Sequence, residues 1–215
     1  RYCPRCFQED LARYGELYWH RMHQIPGWDV CVKHGTWLIN SKVALRQTNK
    51  HVVAEPTEEV CPLDQVAFIT VSELLSHYRS IGNGIEALLK QRFPHRPLDW
   101  FQSHYEAKLR QKHYASLVSG KVDQAKLQRD FVQYYGNDFL ERLQSSLRGE
   151  SNWLAAMVRK HRRSFHPLRH LLLMNFLGIS LEEMFFQDEQ YKPFGDGPWI
   201  CLNPAAEHFQ QKVIT

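Results

Sequence analysis

Four donors in the first 34 residues carry the clearest chemistry in this sequence. They are Cys3 and Cys6 in a Cys-Pro-Arg-Cys run and, after a spacer of 24 residues, Cys31 and His34. Zinc takes four nitrogen or sulfur ligands at tetrahedral corners, and a two-residue gap lets one tight turn present two of them. Two such knuckles fill the shell, leaving no open position for water or substrate. The expected ion is therefore a structural Zn2+ that braces the chain and does no chemistry of its own. The rival is a redox Cys-Pro-x-Cys pair, which should follow a buried strand of a βαβ unit, and no such unit is read here; the second knuckle favours the metal. His20 and His23 lie mid-spacer and are expected to pack or hydrogen-bond. Cys61, alone in Val60-Cys61-Pro62, reads as a small buried hydrophobe.

The elements that must position these donors follow from local pattern. Gln8 to Tyr14 suits a short helix, Tyr18-Trp19-His20 a strand, and Ile25-Pro26-Gly27 a turn. Trp37-Leu38-Ile39 reads as a strand leading into a polar loop. Thr70-x-x-Glu73 has the form of a capping box opening a helix, which Ile81-Gly82-Asn83-Gly84 is expected to end before a second short helix from Ile85 to Arg92. Pro94 and Pro97 mark a boundary. Beyond it the period is helical: Phe101, Tyr105 and Leu109, then Leu127, Phe131 and Tyr135, and after a break at Gly136-Asn137, Phe139, Leu140, Leu143 and Leu147. The expected fold class is mostly α, with a small zinc-finger α+β module followed by helical domains containing helix-turn-helix-like units. The expected division is a zinc-finger domain over 1–62, linking helices over 63–97, and a helical domain over 98–215.

Composition bounds the function. Of 215 residues, 43% are hydrophobic and 13% aromatic, enough for real cores and against disorder along the whole length. No apolar run approaches the roughly 20 residues that cross a bilayer, and five cysteines in this arrangement point to metal binding in a reducing cytosol. The chain begins at Arg1 without a Met, and reads as an internal piece of a longer protein.

The net charge of +4 is unevenly spread. Residues 151–170 hold Arg159, Lys160, Arg162, Arg163 and Arg169 and no acid, which leaves −1 for everything else. On a helical wheel over 151–165, Trp153, Leu154, Met157, Val158, His161 and Phe165 share one face and the basic residues the other. Solvated surfaces mix signs; this one does not, so phosphate contact is the expectation for those five residues. Arg142, Gln144, Ser145, Ser146 and Arg148 are further candidates, exposed on the last helix of a helix-turn-helix outline ending after Gly136. Small bundles also have tight glycine turns, so that outline is less specific. Pro167 is expected to start a helix with Leu168, Leu171, Leu172 and Phe176 buried, Gly178 to stop it, and Ser180-x-x-Glu183 to cap another. That last helix starts with Glu182 and Glu183, which would repel phosphates, so a packing role is expected for it.

These residues resemble a known family. Tyr2-Cys3-Pro4-x-Cys6, Tyr14-Gly15-Glu16, Tyr18-Trp19-His20-Arg21, His23-Gln24-x-Pro26-Gly27, Cys31 and Lys33-His34-Gly35 resemble the TniQ zinc-finger domain. Trp153-Leu154, Arg159-Lys160-His161-Arg162, Phe165-His166-Pro167-Leu168-Arg169-His170 and Phe176-Leu177-Gly178 are similar to the following part of TnsD proteins. The resemblance implies a non-catalytic, cytoplasmic bacterial protein, nucleoid-associated when bound. It implies sequence-specific recognition of a chromosomal attachment site in double-stranded DNA, and recruitment of an AAA+ ATPase regulator, TnsC, and through it the transposase. The alternative is a TniQ-like adaptor bridging an RNA-guided effector complex to that ATPase. Neither a membrane nor a small-molecule substrate is expected. Cys201-Leu202-Asn203-Pro204 and His208 resemble the start of another zinc finger of the family, with Ala206 where a cysteine belongs; either that finger is degenerate or its other ligands lie beyond Thr215, and Cys201 and His208 are the candidates for a second metal site.

Overall fold

The computed structural model describes residues 1–44, 53–149, 152–159, 163–187 and 198–214. The chain is mostly α-helical. Helix α1, Pro4–Tyr14, starts on a proline whose missing N–H costs nothing at that position. It ends at Gly15, whose φ of 76° lets its N–H return to the Leu11 carbonyl. Strands β1 (Val30–Cys31) and β2 (Thr36–Trp37) pair antiparallel, Val30 opposite Trp37 and Cys31 opposite Thr36. Tyr2 bridges to Ile39, which ties the start of the chain to the same small sheet.

Among the described residues seven further helices follow: α2 (Ser72–Lys90), α3 (Leu98–Gln111), α4 (Gln124–Tyr135), α5 (Asn137–Arg142), α6 (Trp153–Arg159), α7 (Pro167–Leu177) and α8 (Leu181–Phe186). A hairpin of β3 (Trp199–Ile200) and β4 (Lys212–Ile214) closes the described chain. The helix-turn-helix-like junctions fall where glycine was expected to break the helices, at Gly136 between α4 and α5 and at Gly178 between α7 and α8. The capping box of α8 forms in full, Ser180 Oγ accepting from the Glu183 N–H and the Glu183 carboxylate from that of Ser180.

One hydrophobic core runs from the zinc-finger segment into the helices. Trp28 and Val30 are fully buried beside Tyr78 and Ile81 of α2, Phe131 and Tyr135 of α4, and Leu172 of α7. The Tyr78 ring takes Trp28 and Trp37 edge-on at centroid distances of 5.3 and 5.7 Å.

Several local expectations give way to tertiary contacts. Helix α2 does not end at Gly82 or Gly84 but runs through both to Lys90. A glycine inside a helix costs about 1 kcal/mol relative to alanine, and here close packing offsets that cost. A Cβ on Gly82 would collide with Val32, and one on Gly84 would stand 2.7 Å from a Leu171 methyl. The helix opens at Ser72 with Val71 at the N-cap position, so Thr70 is not the N-cap residue the capping box called for; the Glu73 side chain lies outside the described residues. Residues 18–20 form no strand; Tyr18 stacks on His20 at 4.6 Å and the chain passes into a 3-10 turn over Arg21–Gln24. The described part of helix α6 runs to Arg159, and of the residues on the 151–165 wheel Arg163, Ser164 and Phe165 stand outside any helix.

Candidate metal centre and basic cleft

The first knuckle sits at the mouth of α1. Cys3 is the extended N-cap residue and Cys6 lies in the first turn, with the Cys6 N–H directed at the Cys3 sulfur. The second knuckle is the β1–β2 turn, closed by Gly35 at φ 63°, whose N–H returns to the Cys31 carbonyl at 2.8 Å. Its His34 N–H is likewise directed at the Cys31 sulfur. The four donor atoms lie within 4.8 Å of one another. His34 Nδ1 stands 3.5, 3.4 and 3.5 Å from the sulfurs of Cys3, Cys6 and Cys31, and the Cys6 and Cys31 sulfurs are 3.6 Å apart.

These separations fit one small ion. With metal–sulfur bonds of about 2.3 Å and metal–nitrogen bonds of about 2.0 Å, a tetrahedron has S···S edges of about 3.8 Å and S···N edges of about 3.5 Å. The three cysteines are buried and share their protons: hydrogen bonds from Cys31 and Cys6 pull the Cys3 thiol far below its ordinary range, while contact with Cys3 and burial push the Cys6 and Cys31 thiols above theirs. A buried sulfur that favours the thiolate is what a soft divalent ion requires. The group could hold a metal ion, and its donor chemistry is that of zinc.

The surrounding residues orient the donors. Thr36 Oγ1 lies 3.3 Å from Cys3 Sγ. His34 Nε2 donates to Glu9 Oε1 at 3.1 Å, leaving Nδ1 to face the sulfurs. Glu9 is shared with Lys33, and these two partners, Lys33 foremost, hold its carboxyl below the usual range. Sequence reading missed Glu9; its place one turn after Cys6, on the face of α1 that meets the second knuckle, was the available signal. His20 and His23 are not donors. His20 Nε2 bonds Asp10 at 2.7 Å, while His23 is buried and driven to about 4 by that burial. Cys61 packs with Tyr2 and Phe7 as a buried apolar group.

The basic residues divide. Arg159, at the end of α6, borders one cavity with Gln102, Glu106 and Lys121. Lys160, His161 and Arg162 fall outside the described residues. Arg163 and Arg169 border a different cleft, of about 470 Å³, and there they meet Gln144 and Arg148 from the other candidate set. Those two do not project from a recognition helix as expected. Helix α5 ends at Arg142, Gln144 takes a left-handed φ of 51°, and Ser145 is buried. Arg142 does not join the cleft: its guanidinium lies over the Trp37 ring at 4.7 Å and 3.8 Å from Asp29. Among the described residues neither Arg163 nor Arg169 has a carboxylate partner. Arg169 is held below its ordinary pKa by burial and then by Arg163.

Of the two acids at the start of α8, Glu183 is engaged inside the molecule, capping its helix and pairing with Lys108, while Glu182 is exposed. Side chains of α3 take the last carbonyls of α8: Trp100 Nε1 reaches Met184 O at 2.7 Å and His104 Nε2 lies 2.7 Å from Gln187 O. At the C-terminal hairpin Cys201 is buried and His208 exposed. Among the described residues the metal-competent groups of three or more donors comprise Cys3, Cys6, Cys31 and His34 alone, and no third donor joins Cys201 and His208.

Comparison with known proteins meets this geometry. The family profile described as Tn7-like transposition protein D matches residues 81–215, and the TniQ profile matches residues 1–38. The transposon Tn7 transposition protein TnsD of Escherichia coli is 27% identical over 182 residues, covering 82% of this chain. The chain spans about a third (34%) of that relative. The two matched segments contain the four metal donors and the whole of the basic cleft, and the chain belongs to the family of Tn7-like transposition protein D.

Proposed function

We propose that this chain selects the target site for DNA transposition by binding double-stranded DNA, with a structural zinc ion at Cys3, Cys6, Cys31 and His34. The observation that carries the reading is the juxtaposition of Arg163 and Arg169. Two guanidiniums share one cleft, and among the described residues neither is paired with a carboxylate, an arrangement that costs free energy until an anion arrives. With Arg159, Lys160 and Arg162 of the same stretch, they supply affinity through backbone phosphates, while base edges supply specificity. The reading includes recruitment of the AAA+ ATPase regulator and, through it, the transposase. The role is non-catalytic and cytoplasmic, and among the described residues no helix is long and apolar enough to cross a membrane.

The zinc ion would hold the two knuckles together, with Cys3 and Cys6 anchoring α1 and Cys31 and His34 the β1–β2 turn. Bound there, it supplies tetrahedral cross-linking and no open coordination position.

The test is a salt titration of duplex binding by fluorescence anisotropy, comparing attachment-site DNA with an unrelated duplex. The expected result is tighter binding to the attachment site and a steep fall in affinity on both duplexes from 50 to 200 mM salt. A flat titration overturns DNA binding as the primary role.

A second reading, a TniQ-like protein-interaction adaptor on an RNA-guided effector complex, is favoured by an apolar groove of about 600 Å³. Leu88, Leu89, Phe101, Phe165 and Phe185 border it. Under that reading affinity for bare duplex is weak and sequence-blind.

A further inference from the structure

The DNA-binding reading leaves open which groups receive the backbone and what they do when no DNA is bound. The cleft joins two stretches of chain. Arg163 and Arg169 come from the approach to α7 and its first turn, Gln144 and Arg148 from the segment between α5 and α6. Its walls are fixed from behind. Asn152 accepts from the Ala155 N–H at 3.0 Å and donates to the Gly149 carbonyl at 2.8 Å, so its side chain ties Gly149 to the first turn of α6. Trp153 Nε1 donates to the Ser145 carbonyl at 2.8 Å and its ring lies under Arg169 at 5.4 Å. The Gln144 carbonyl accepts from Arg169 Nη2 at 3.5 Å.

One acid enters the cleft. Glu141 Oε1 lies 3.6 Å from Arg148 Nη2, with both side chains largely exposed. Such a pair is weak in water and screened by salt. A phosphodiester offers two charged oxygens to the planar guanidinium and meets Arg163 and Arg169 at the same time.

We propose that this cleft is a docking site for one backbone phosphate of duplex DNA, with Arg148, Arg163 and Arg169 as ligands and Glu141 as an internal carboxylate that the phosphate displaces from Arg148. The site rests on the DNA-binding reading above and deepens it. Gln144, held left-handed at the rim, adds a neutral amide donor. Glu141 sets a threshold: it weakens capture of stray anions, while a duplex anchored elsewhere on the surface overcomes it.

The experiment measures duplex affinity against salt for the wild-type chain and for R148A, R163A with R169A, and E141Q, each checked by circular dichroism and thermal melting. Loss of one charge-assisted phosphate contact is expected to weaken binding roughly tenfold on attachment-site and unrelated duplex alike. It should also flatten the salt slope by about one unit. E141Q is expected to tighten binding about twofold to fivefold. Arg148 is exposed enough that R148A carries the test should the double variant fail to fold. Folded variants that keep the wild-type slope, on a wild type that binds steeply, overturn the phosphate site and leave DNA binding standing. A wild type without salt-dependent duplex affinity overturns both.

Discussion

The hydroxyl of Tyr78 donates a 2.8 Å hydrogen bond to the carboxylate of Asp29, joining the middle of α2 to the turn that leads into the second knuckle. Both residues are drawn out of water. Burial pushes the Asp29 carboxyl above its usual range, while the Tyr78 bond and Arg142 pull it back. A carboxyl raised in the folded state contributes stability at acid pH and loses it as pH rises through its folded value. Y78F removes the hydrogen bond and moves that value further up. The expected loss is about 1–3 kcal/mol at neutral pH, shrinking as the carboxyl protonates. Thermal melts of both proteins between pH 4 and 8, with a difference that does not narrow at acid pH, would contradict the assignment.

Metal content tests the ligand set directly. The purified chain is expected to carry one equivalent of zinc by elemental analysis. C31S should lose the ion and melt several degrees lower, because metal affinity in such sites is largely folding free energy. C61S, altering a buried cysteine outside the cluster, should keep full zinc. Equal zinc in both variants would reject the donor assignment.

Glu9 makes a subtler prediction. It takes the hydrogen bond from His34 Nε2 and so sets which ring nitrogen faces the sulfurs. Groups in that position typically change metal affinity by about 10- to 100-fold. E9Q should therefore release zinc to a chelator at lower concentration than wild type, with all four ligands in place. K33A, which leaves the His34 bond intact, should have the smaller effect.

The glycines of α2 predict an inversion of the usual helix rule. Alanine at an exposed helical glycine stabilises by up to about 1 kcal/mol. G82A and G84A should instead destabilise by about 1–3 kcal/mol, because the added methyl meets Val32 in one case and Leu171 in the other. Urea unfolding midpoints decide this, and a stabilised G82A would mean that Val32 can move aside.

How much of this was legible in the sequence depended on how local each cause was. The four donors were, because two-residue gaps and a full tetrahedral shell leave little freedom. The helices around Phe101, Tyr105, Leu127, Phe131 and Phe139 were, because their periods are strong and their breaks lie at Gly136 and near the prolines. Gly82 and Gly84 misled because a breaker is a local preference and their close neighbours, Val32 and Leu171, are 50 and 87 residues away in the chain. The apolar stripe of residues 153–165 misled because Phe165 keeps the period after the helix has ended, reaching the apolar groove from irregular chain. The meeting of Gln144 and Arg148 with Arg163 and Arg169 had no sequence signal, since the left-handed backbone at Gln144 and the Trp153–Ser145 hydrogen bond bring them together.

Helix α2 has a consequence for inheritance. Its two glycines set Val32 of the knuckle segment and Leu171 of α7 against the same rod. The TniQ match stops at residue 38 and the TnsD match starts at 81, inside that helix. A hybrid that grafted a relative's knuckles onto residues 81–215 would bring a foreign side chain to Gly82 and replace the partner that Tyr78 holds. Such chimaeras should tolerate junctions in which residues 28–37 and 78–84 travel together, and reject those that part them.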